Sequence, residues 1–169
     1  MAGTHGKTTT TALIAHILFE SQIPMWAFVG GVIDNYETNL IRNCRQVSKE
    51  TRVYFEVQCK HFYILHFSFD QAKWLVVEAD EFNRSFLDLF PAIGVITSME
   101  YDHPETYPDF DAMKTALCTW VGQCSTLLVQ SHAAESLEIK NCQNQVDTYG
   151  VTKGNFTALN RVREVDCTL

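Results

Sequence analysis

Gly3-Thr4-His5-Gly6-Lys7-Thr8-Thr9 stands near the start of the chain, directly before the apolar residues of a predicted helix. The two glycines allow backbone N–H groups to turn towards phosphate oxygens, and the helix that follows presents the positive end of its dipole. Lys7 is placed to reach the outer phosphates of a nucleotide, and the Thr8 hydroxyl is placed to hold a magnesium ion. The stretch therefore predicts a loop that binds a nucleoside triphosphate.

The match to the common phosphate-binding loop is incomplete. That loop has a glycine five residues before Gly6, where this chain has Met1. It also follows a buried strand, and because only two residues precede Gly3 we expect that strand to lie upstream of this sequence. The motif alone leaves two interpretations open, nucleotide binding or a solvent-exposed helix start.

Composition limits the class of protein. The 169 residues suffice for about one domain, and 46% of them are apolar. The formal net charge of −7 argues against a nucleic-acid partner, because phosphate backbones attract clustered Lys and Arg. The sequence has neither a secretory signal nor a long charge-free apolar run, so we expect no membrane partner and a cytoplasmic location, or an organelle stroma if a targeting sequence is missing upstream. The six cysteines lack zinc-type spacing and are expected to be reduced thiols.

Helical and strand-like patterns alternate along the chain. Apolar spacing predicts helices over residues 12–20, 109–121 and 133–139, and short β-branched runs predict strands over residues 25–29, 74–78, 92–97 and 126–130. Gly30-Gly31 is predicted to be a turn, and the aromatic-rich residues 53–69 are predicted to form a hairpin at the sheet edge. This order favours an α/β fold with a mostly parallel sheet flanked by helices.

Two acidic clusters follow predicted strands. Glu78-Ala79-Asp80-Glu81 follows residues 74–77, and Glu100-Tyr101-Asp102-His103 follows the strand at residues 92–97. Ligands collect at the carboxyl ends of parallel strands, and magnesium prefers carboxylate and phosphate oxygens. Each cluster alone is better explained as a solvated loop, because charged residues usually lie at strand ends. Together with the loop at residues 3–9, however, the clusters lead us to expect Glu78 and His103 to reach the same nucleotide as Lys7 and Thr8.

Three motifs in order give a resemblance to a known family. The loop from Gly3 to Thr11, Glu78-Ala-Asp-Glu81 with Arg84-Ser-Phe86, and Asp102-His103 with Tyr107 resemble the central, ATP-binding domain of the Mur ligases. The resemblance covers about residues 2–129. His5 and the Glu78–Glu81 cluster resemble most closely the branch that joins L-alanine to UDP-N-acetylmuramate.

The resemblance implies an ATP-dependent, amide-forming ligase of peptidoglycan precursor synthesis. Its small-molecule substrates would be ATP, UDP-N-acetylmuramate and L-alanine, and its metal ion Mg²⁺. Carried over to this chain, the catalytic residues would be Lys7 and His103 and the metal ligands Thr8, Glu78 and His103. The ATP-binding residues would be Gly3, Thr4, His5, Gly6, Lys7, Thr8 and Thr9. An imidazole is an uncommon magnesium ligand, so a histidine hydrogen-bonded to its own loop is the alternative for His103.

The family pattern also sets expectations for domain organisation. Mur ligases have an N-terminal domain for the UDP-sugar, a central domain for ATP and a C-terminal domain for the amino acid. We expect residues 1–169 to be a partial central domain without the other two, and therefore inactive alone. Asn83 stands where the family commonly has aspartate, and residues 53–69 do not resemble the family's usual approach to the acidic strand.

Three alternatives to the alanine branch remain open at this stage. One is the related ligase that attaches a recycled peptide to UDP-N-acetylmuramate, and a second is a ligase resembling folylpolyglutamate synthase. The third is a non-catalytic nucleotide-binding remnant. The sequence does not predict an oligomeric state.

Overall fold

The computed structural model describes residues 1–43, 72–139 and 145–158 of the chain. The helices are α1 (Lys7–Glu20), α2 (Phe110–Gln123) and α3 (Ser131–Ser136), and the strands are β1 (Met25–Ile33), β2 (Thr38–Asn43), β3 (Trp74–Val77), β4 (Ile93–Ile96), β5 (Thr126–Gln130), β6 (Gln145–Gly150) and β7 (Phe156–Thr157). A 3₁₀ segment, Phe82–Asp88, lies between β3 and β4. The hairpin predicted over residues 53–69 lies outside the described residues.

The described strands form two sheets. The first has the order β2-β1-β3, and the second has the order β4-β5-β6-β7. Strands β1 and β2 are antiparallel, whereas every other pair is parallel. The predicted α/β fold with a mostly parallel sheet is therefore confirmed.

Met1 and Ala2 join the two sheets through their backbone. The Met1 amine donates to the Val77 carbonyl at 2.8 Å, and the Ala79 amide donates to the Met1 carbonyl at 2.7 Å. On the other side the Ala2 amide donates to the Val95 carbonyl at 2.8 Å, and the Ala2 carbonyl accepts from the Thr97 amide at 3.0 Å. This is a parallel bridge between β3 and β4, and it places the next residue, Gly3, at the carboxyl edge of both strands.

Each sheet has its own apolar core. Helix α2 covers the four-stranded sheet with Met113, Leu117 and Trp120, all at most 1% exposed. Phe86 of the 3₁₀ segment packs against Trp120, with ring centroids 6.2 Å apart. The three-stranded sheet packs on α1 through a smaller buried group, which comprises Ala15, Met25, Ala27, Ile41 and Val76. No helix among the described residues combines the length and apolar character that a membrane crossing requires.

The predicted helices and strands that lie in the described residues are found near their predicted positions, but the turn was placed wrongly and strands β2, β6 and β7 were not predicted. Strand β5 has the predicted bounds, and α2 begins after Asp109, whose carboxylate accepts from the Ala112 amide at 2.8 Å as an N-cap. Helix α3 begins two residues earlier than predicted and ends at Ser136. The turn predicted at Gly30-Gly31 is wrong, because β1 continues through both glycines to Ile33.

The described cysteines, Cys118 and Cys124, are thiols, as expected. Burial raises the pKa of the Cys124 thiol to about 11, so it remains protonated at neutral pH. Its sulfur lies beside Gly94 of β4, where a Cβ would come within 2.5 Å of it.

Gly94 and Gly122 allow a matched test of this packing. A Cβ at Gly94 would also crowd Leu127 and Trp120, whereas a Cβ at Gly122 would meet nothing within 4 Å. We expect Gly94→Ala to lower the free energy of unfolding by about 1–3 kcal/mol through overpacking. Gly122→Ala in α2 should raise it by up to about 1 kcal/mol, because alanine is the better helix former. Urea denaturation measures both, and equal effects would contradict the packing described.

Candidate functional site

The predicted phosphate-binding loop lies over the carboxyl ends of β3 and β4. Gly6 has a φ of 82° and directly precedes α1, which begins at Lys7. Gly3 has a φ of 118°, and a Cβ there would lie 2.6 Å from Thr97 Oγ1 and 2.7 Å from the Ser98 amide. Both positions therefore favour glycine. At Gly6 the reason is the backbone conformation alone, whereas at Gly3 there is also no space for a Cβ.

The middle of the loop is held by the residues that follow β4. The Thr4 hydroxyl donates to the Glu100 carbonyl at 2.8 Å and accepts from the Glu100 amide at 2.9 Å. The His5 amide donates to Ser98 Oγ at 2.7 Å, and Thr97 Oγ1 donates to the His5 carbonyl at 2.6 Å. The His5 ring itself is exposed and lies 3.3 Å from the Glu100 carboxylate. The loop is thus held partly by Thr97 and Ser98, which sequence analysis did not select.

Lys7 and Glu81 form a buried ion pair beneath the loop. Lys7 Nζ lies 2.6 Å from Glu81 Oε2, and the two side chains are 12% and 1% exposed. The ammonium also donates to the Gly3 carbonyl at 2.9 Å, and the other Glu81 oxygen accepts from the Gly3 amide. Glu81 therefore contacts both ends of the loop, and a buried carboxylate has the charged and polar partners that it requires.

Thr8 and Glu78 form a second contact at the N-terminus of α1. Thr8 Oγ1 donates to Glu78 Oε1 at 2.7 Å, and the Gly30 amide donates to Glu78 Oε2 at 2.6 Å. A Cβ at Gly30 would lie 2.7 Å from both carboxylate oxygens, so glycine makes room for Glu78. Two residues predicted as metal ligands, Thr8 and Glu78, are thus brought together, while Thr9 is exposed in the first turn of the helix.

His103 lies with a different set of carboxylates. Its Nδ1 is 3.1 Å from Glu105 Oε1, its amide donates to Asp102 Oδ1 at 2.8 Å, and its φ is 57°. Among the described residues, Asp80, Glu81 and His103 offer ligand atoms within 4.8 Å of one another, and Glu78 is not in that group. The structure therefore separates His103 from the Thr8–Glu78 contact, although both predicted positions lie at the same edge of the sheet.

Tyr107 stabilises the backbone of this acidic segment. Its hydroxyl donates to the Glu81 carbonyl at 2.7 Å, and its ring is fully buried beneath the Arg84 guanidinium, 5.5 Å from the ring centroid. Burial, followed by the nearby Glu81 carboxylate, raises the pKa of Tyr107 to about 12. The phenol is therefore protonated throughout the physiological range and remains a hydrogen-bond donor.

Sequence analysis did not select Glu81, Gly30, Thr97 and Ser98, which complete the site. Glu81 was noted only as a member of the acidic cluster. Thr97 and Ser98 could have been selected from their position directly after β4, because residues that follow parallel strands lie at the edge of the sheet where the loop is found. The role of Gly30 could not be predicted from the sequence, because its partner Glu78 is 48 residues away.

Comparison with known proteins identifies the family. The model of the Mur ligase middle domain matches residues 1–167. The chain belongs to the Mur ligase family. A UDP-N-acetylmuramate–L-alanine ligase of Flavobacterium psychrophilum is 40% identical over 116 residues, which cover 69% of this chain and 20% of the relative. One of Phocaeicola vulgatus is 34% identical over 167 residues, which cover 95% of this chain and 30% of the relative.

Solved structures agree with the family at the level of the fold. A UDP-N-acetylmuramate:L-alanyl-gamma-D-glutamyl-meso-diaminopimelate ligase from Neisseria meningitides matches 90% of this chain and 45% of its own, with a TM-score of 0.65 and 22% identity. A UDP-N-acetylmuramate-alanine ligase from Thermotoga maritima matches 90% of this chain and 28% of its own, with a TM-score of 0.62 and 22% identity. The Mur ligase chain described here spans between a fifth and a third of the curated relatives cited.

The two loop glycines provide a test of the loop geometry. Alanine is strained at either positive φ by about 1 kcal/mol or more. At Gly3 the added Cβ would also meet the backbone of Ser98, whereas at Gly6 the nearest atom, Thr97 Cβ, is 3.9 Å away. We expect Gly3→Ala to lower the free energy of unfolding by clearly more than Gly6→Ala does, as measured by urea denaturation. Equal losses would show that the loop does not pack on Ser98 as described.

Proposed function

We propose that this chain forms the ATP-binding part of a ligase that joins L-alanine to UDP-N-acetylmuramate. The observation that carries the proposal is the loop at residues 3–9, seated at the carboxyl edge of a parallel sheet with Lys7 and Thr8 beside two strand-end carboxylates. This arrangement is suited to a polyphosphate, because backbone amides, a helix N-terminus and a lysine converge on one place. Family membership supports ATP as the nucleotide.

The predicted residues have different proposed roles at the ATP site. The loop amides of Thr4 and Gly6 would face phosphate oxygens, since those of Gly3 and His5 already donate to Glu81 and Ser98, and Thr9 would lie at the mouth of the site. Lys7 would contact the β- and γ-phosphates. His103 is proposed to act on the side of the acceptor substrate, where it is held by Asp102 and Glu105 rather than by the loop.

The oxygens of Thr8 and Glu78 fit a magnesium ion. They are hard ligands 2.7 Å apart, and magnesium binds proteins through one or two such oxygens together with phosphate and water. When bound, Mg²⁺ would offset the negative charge that develops on the phosphates. His103 belongs to the separate group with Asp80 and Glu81, and we propose it as a ligand only for a second ion.

The proposed reaction has two steps, as the family resemblance implies. The muramate carboxylate attacks the γ-phosphorus, the bond to the β–γ bridging oxygen breaks, and ADP leaves. The alanine nitrogen then attacks the acyl carbon, the acyl–oxygen bond breaks, phosphate leaves, and the nitrogen loses a proton. The protein contributes positioning and charge stabilisation rather than a covalent intermediate of its own.

The alanine branch is favoured over the recycled-peptide branch by sequence similarity. The curated relatives cited above carry the alanine name at 34–40% identity, whereas the two solved structures, one from each branch, are both 22% identical and support the fold alone. Because the matched region is 20–30% of those relatives, we propose that the sugar nucleotide and the amino acid are bound outside residues 1–169. The chain alone would then bind Mg-ATP without releasing phosphate.

Replacing Lys7 tests nucleotide binding. Lys7→Ala should weaken Mg-ATP binding by about ten- to a hundredfold, since a charged hydrogen bond to phosphate is lost. Lys114→Ala is the matched control, because it removes the same charge from a surface ion pair with Glu138. Isothermal titration calorimetry measures each affinity. A phosphate-release assay with UDP-N-acetylmuramate and L-alanine tests separately whether the chain alone catalyses the reaction, and we expect no phosphate release. Equal affinities for wild type and Lys7→Ala would refute the proposed site.

Adjacent glycines on β1 test the magnesium assignment. A Cβ at Gly30 would displace the Glu78 carboxylate, whereas a Cβ at Gly31 would make an ordinary contact of 3.7 Å with Thr8 Cγ2. We expect Gly30→Ala to weaken Mg-ATP binding by about tenfold, as loss of orientation commonly does at metal sites. ATP binding in EDTA should be unchanged in both variants. If Gly30→Ala binds Mg-ATP as well as Gly31→Ala does, Glu78 is not the ligand.

A further inference from the structure

We propose that Glu81 is a positioning residue for nucleotide binding and acts through Lys7. The inference rests on the proposed function and deepens it, because Glu81 is absent from the loop motif and from the predicted metal ligands. Its side chain is 1% exposed, and both of its oxygens contact the loop, one at the Gly3 amide and the other at Lys7 Nζ.

The contacts of the Lys7 ammonium group with Gly3 and Glu81 are the basis of this proposal. An ammonium group has three N–H donors. In the part of the chain that the structure describes, the Lys7 ammonium donates to the Gly3 carbonyl at 2.9 Å, and its Nζ lies 2.6 Å from Glu81 Oε2 in an ion pair. These two contacts fix the position of Nζ beneath the loop and leave N–H donors of the ammonium for a phosphate oxygen. Lysine otherwise loses considerable rotamer entropy when it binds a phosphate as a point charge.

The backbone of Glu81 is itself fixed by a buried hydrogen bond. Its carbonyl accepts from the buried Tyr107 hydroxyl at 2.7 Å, so its backbone is fixed independently of the loop. The order of support therefore runs from Tyr107 to Glu81 and from Glu81 to Lys7 and Gly3. Because the same carboxylate contacts the Gly3 amide and the Lys7 ammonium, it sets the distance between the first residue of the loop and the first residue of α1.

A double-mutant cycle with Lys7 tests this role. Glu81→Gln retains an oxygen for the Gly3 amide but presents an amide N–H₂ group to Lys7, which displaces the ammonium. We expect Glu81→Gln to weaken Mg-ATP binding by about tenfold in the wild-type background and by less than about twofold in the Lys7→Ala background. Glu138→Gln is the control, because it breaks the surface pair with Lys114, and it should leave affinity unchanged in both backgrounds.

The outcomes separate the two proposals. Unchanged or tighter Mg-ATP binding by Glu81→Gln overturns the positioning role, as does an equal weakening with and without Lys7, which would indicate a general structural effect. If urea denaturation shows that Glu81→Gln is unfolded, Glu81→Asp replaces it, since that variant keeps the charge but is too short to reach both partners, and the same two criteria apply. Equal affinities for wild type and Lys7→Ala would instead refute the nucleotide site, and the role of Glu81 with it.

Discussion

The backbone of Met1 and Ala2 connects the two sheets, and the position of the candidate site depends on this connection. Four backbone hydrogen bonds link these two residues to β3 and β4 and to the residues that follow them. Gly3 comes next in the chain and therefore falls at the carboxyl edge of both strands. Glu78 and Glu81 follow β3, and Thr97 and Ser98 follow β4, so the same edge brings them to the loop.

The site contains more negative than positive charge before any nucleotide binds. The positive charge of Lys7 is offset by Glu81, and Glu78 lies beside Thr8. The loop amides that do not donate to Glu81 or Ser98, together with the helix dipole, remain as sources of positive potential. The chain as a whole carries a net charge of −7 and does not attract phosphates at long range. A divalent cation at Thr8 and Glu78 would supply the missing positive charge.

The sequence predicted the loop, the strands that flank it and the parallel order, because each is encoded by local pattern. It could not predict what depends on contacts between distant residues. Gly30-Gly31 has the composition of a turn, yet β1 continues through both residues, and Gly30 makes room for the carboxylate of Glu78, 48 residues away in the sequence. The burial of Glu81 could not be predicted either, because its partner Gly3 is 78 residues away and isolated carboxylates are normally exposed.

The four residues after β3 illustrate how one short motif serves several tasks. Glu78 faces Thr8 and Gly30, the Ala79 amide pairs with Met1, and Glu81 faces Gly3 and Lys7. Asp80 instead accepts at 3.0 Å from the amide of Phe82, the first residue of the 3₁₀ segment. Each carboxylate is thus oriented by a different backbone or side-chain partner. Three acidic residues in sequence are therefore three separate interactions in space, and a change at one position is expected to alter its own partner rather than the cluster as a whole.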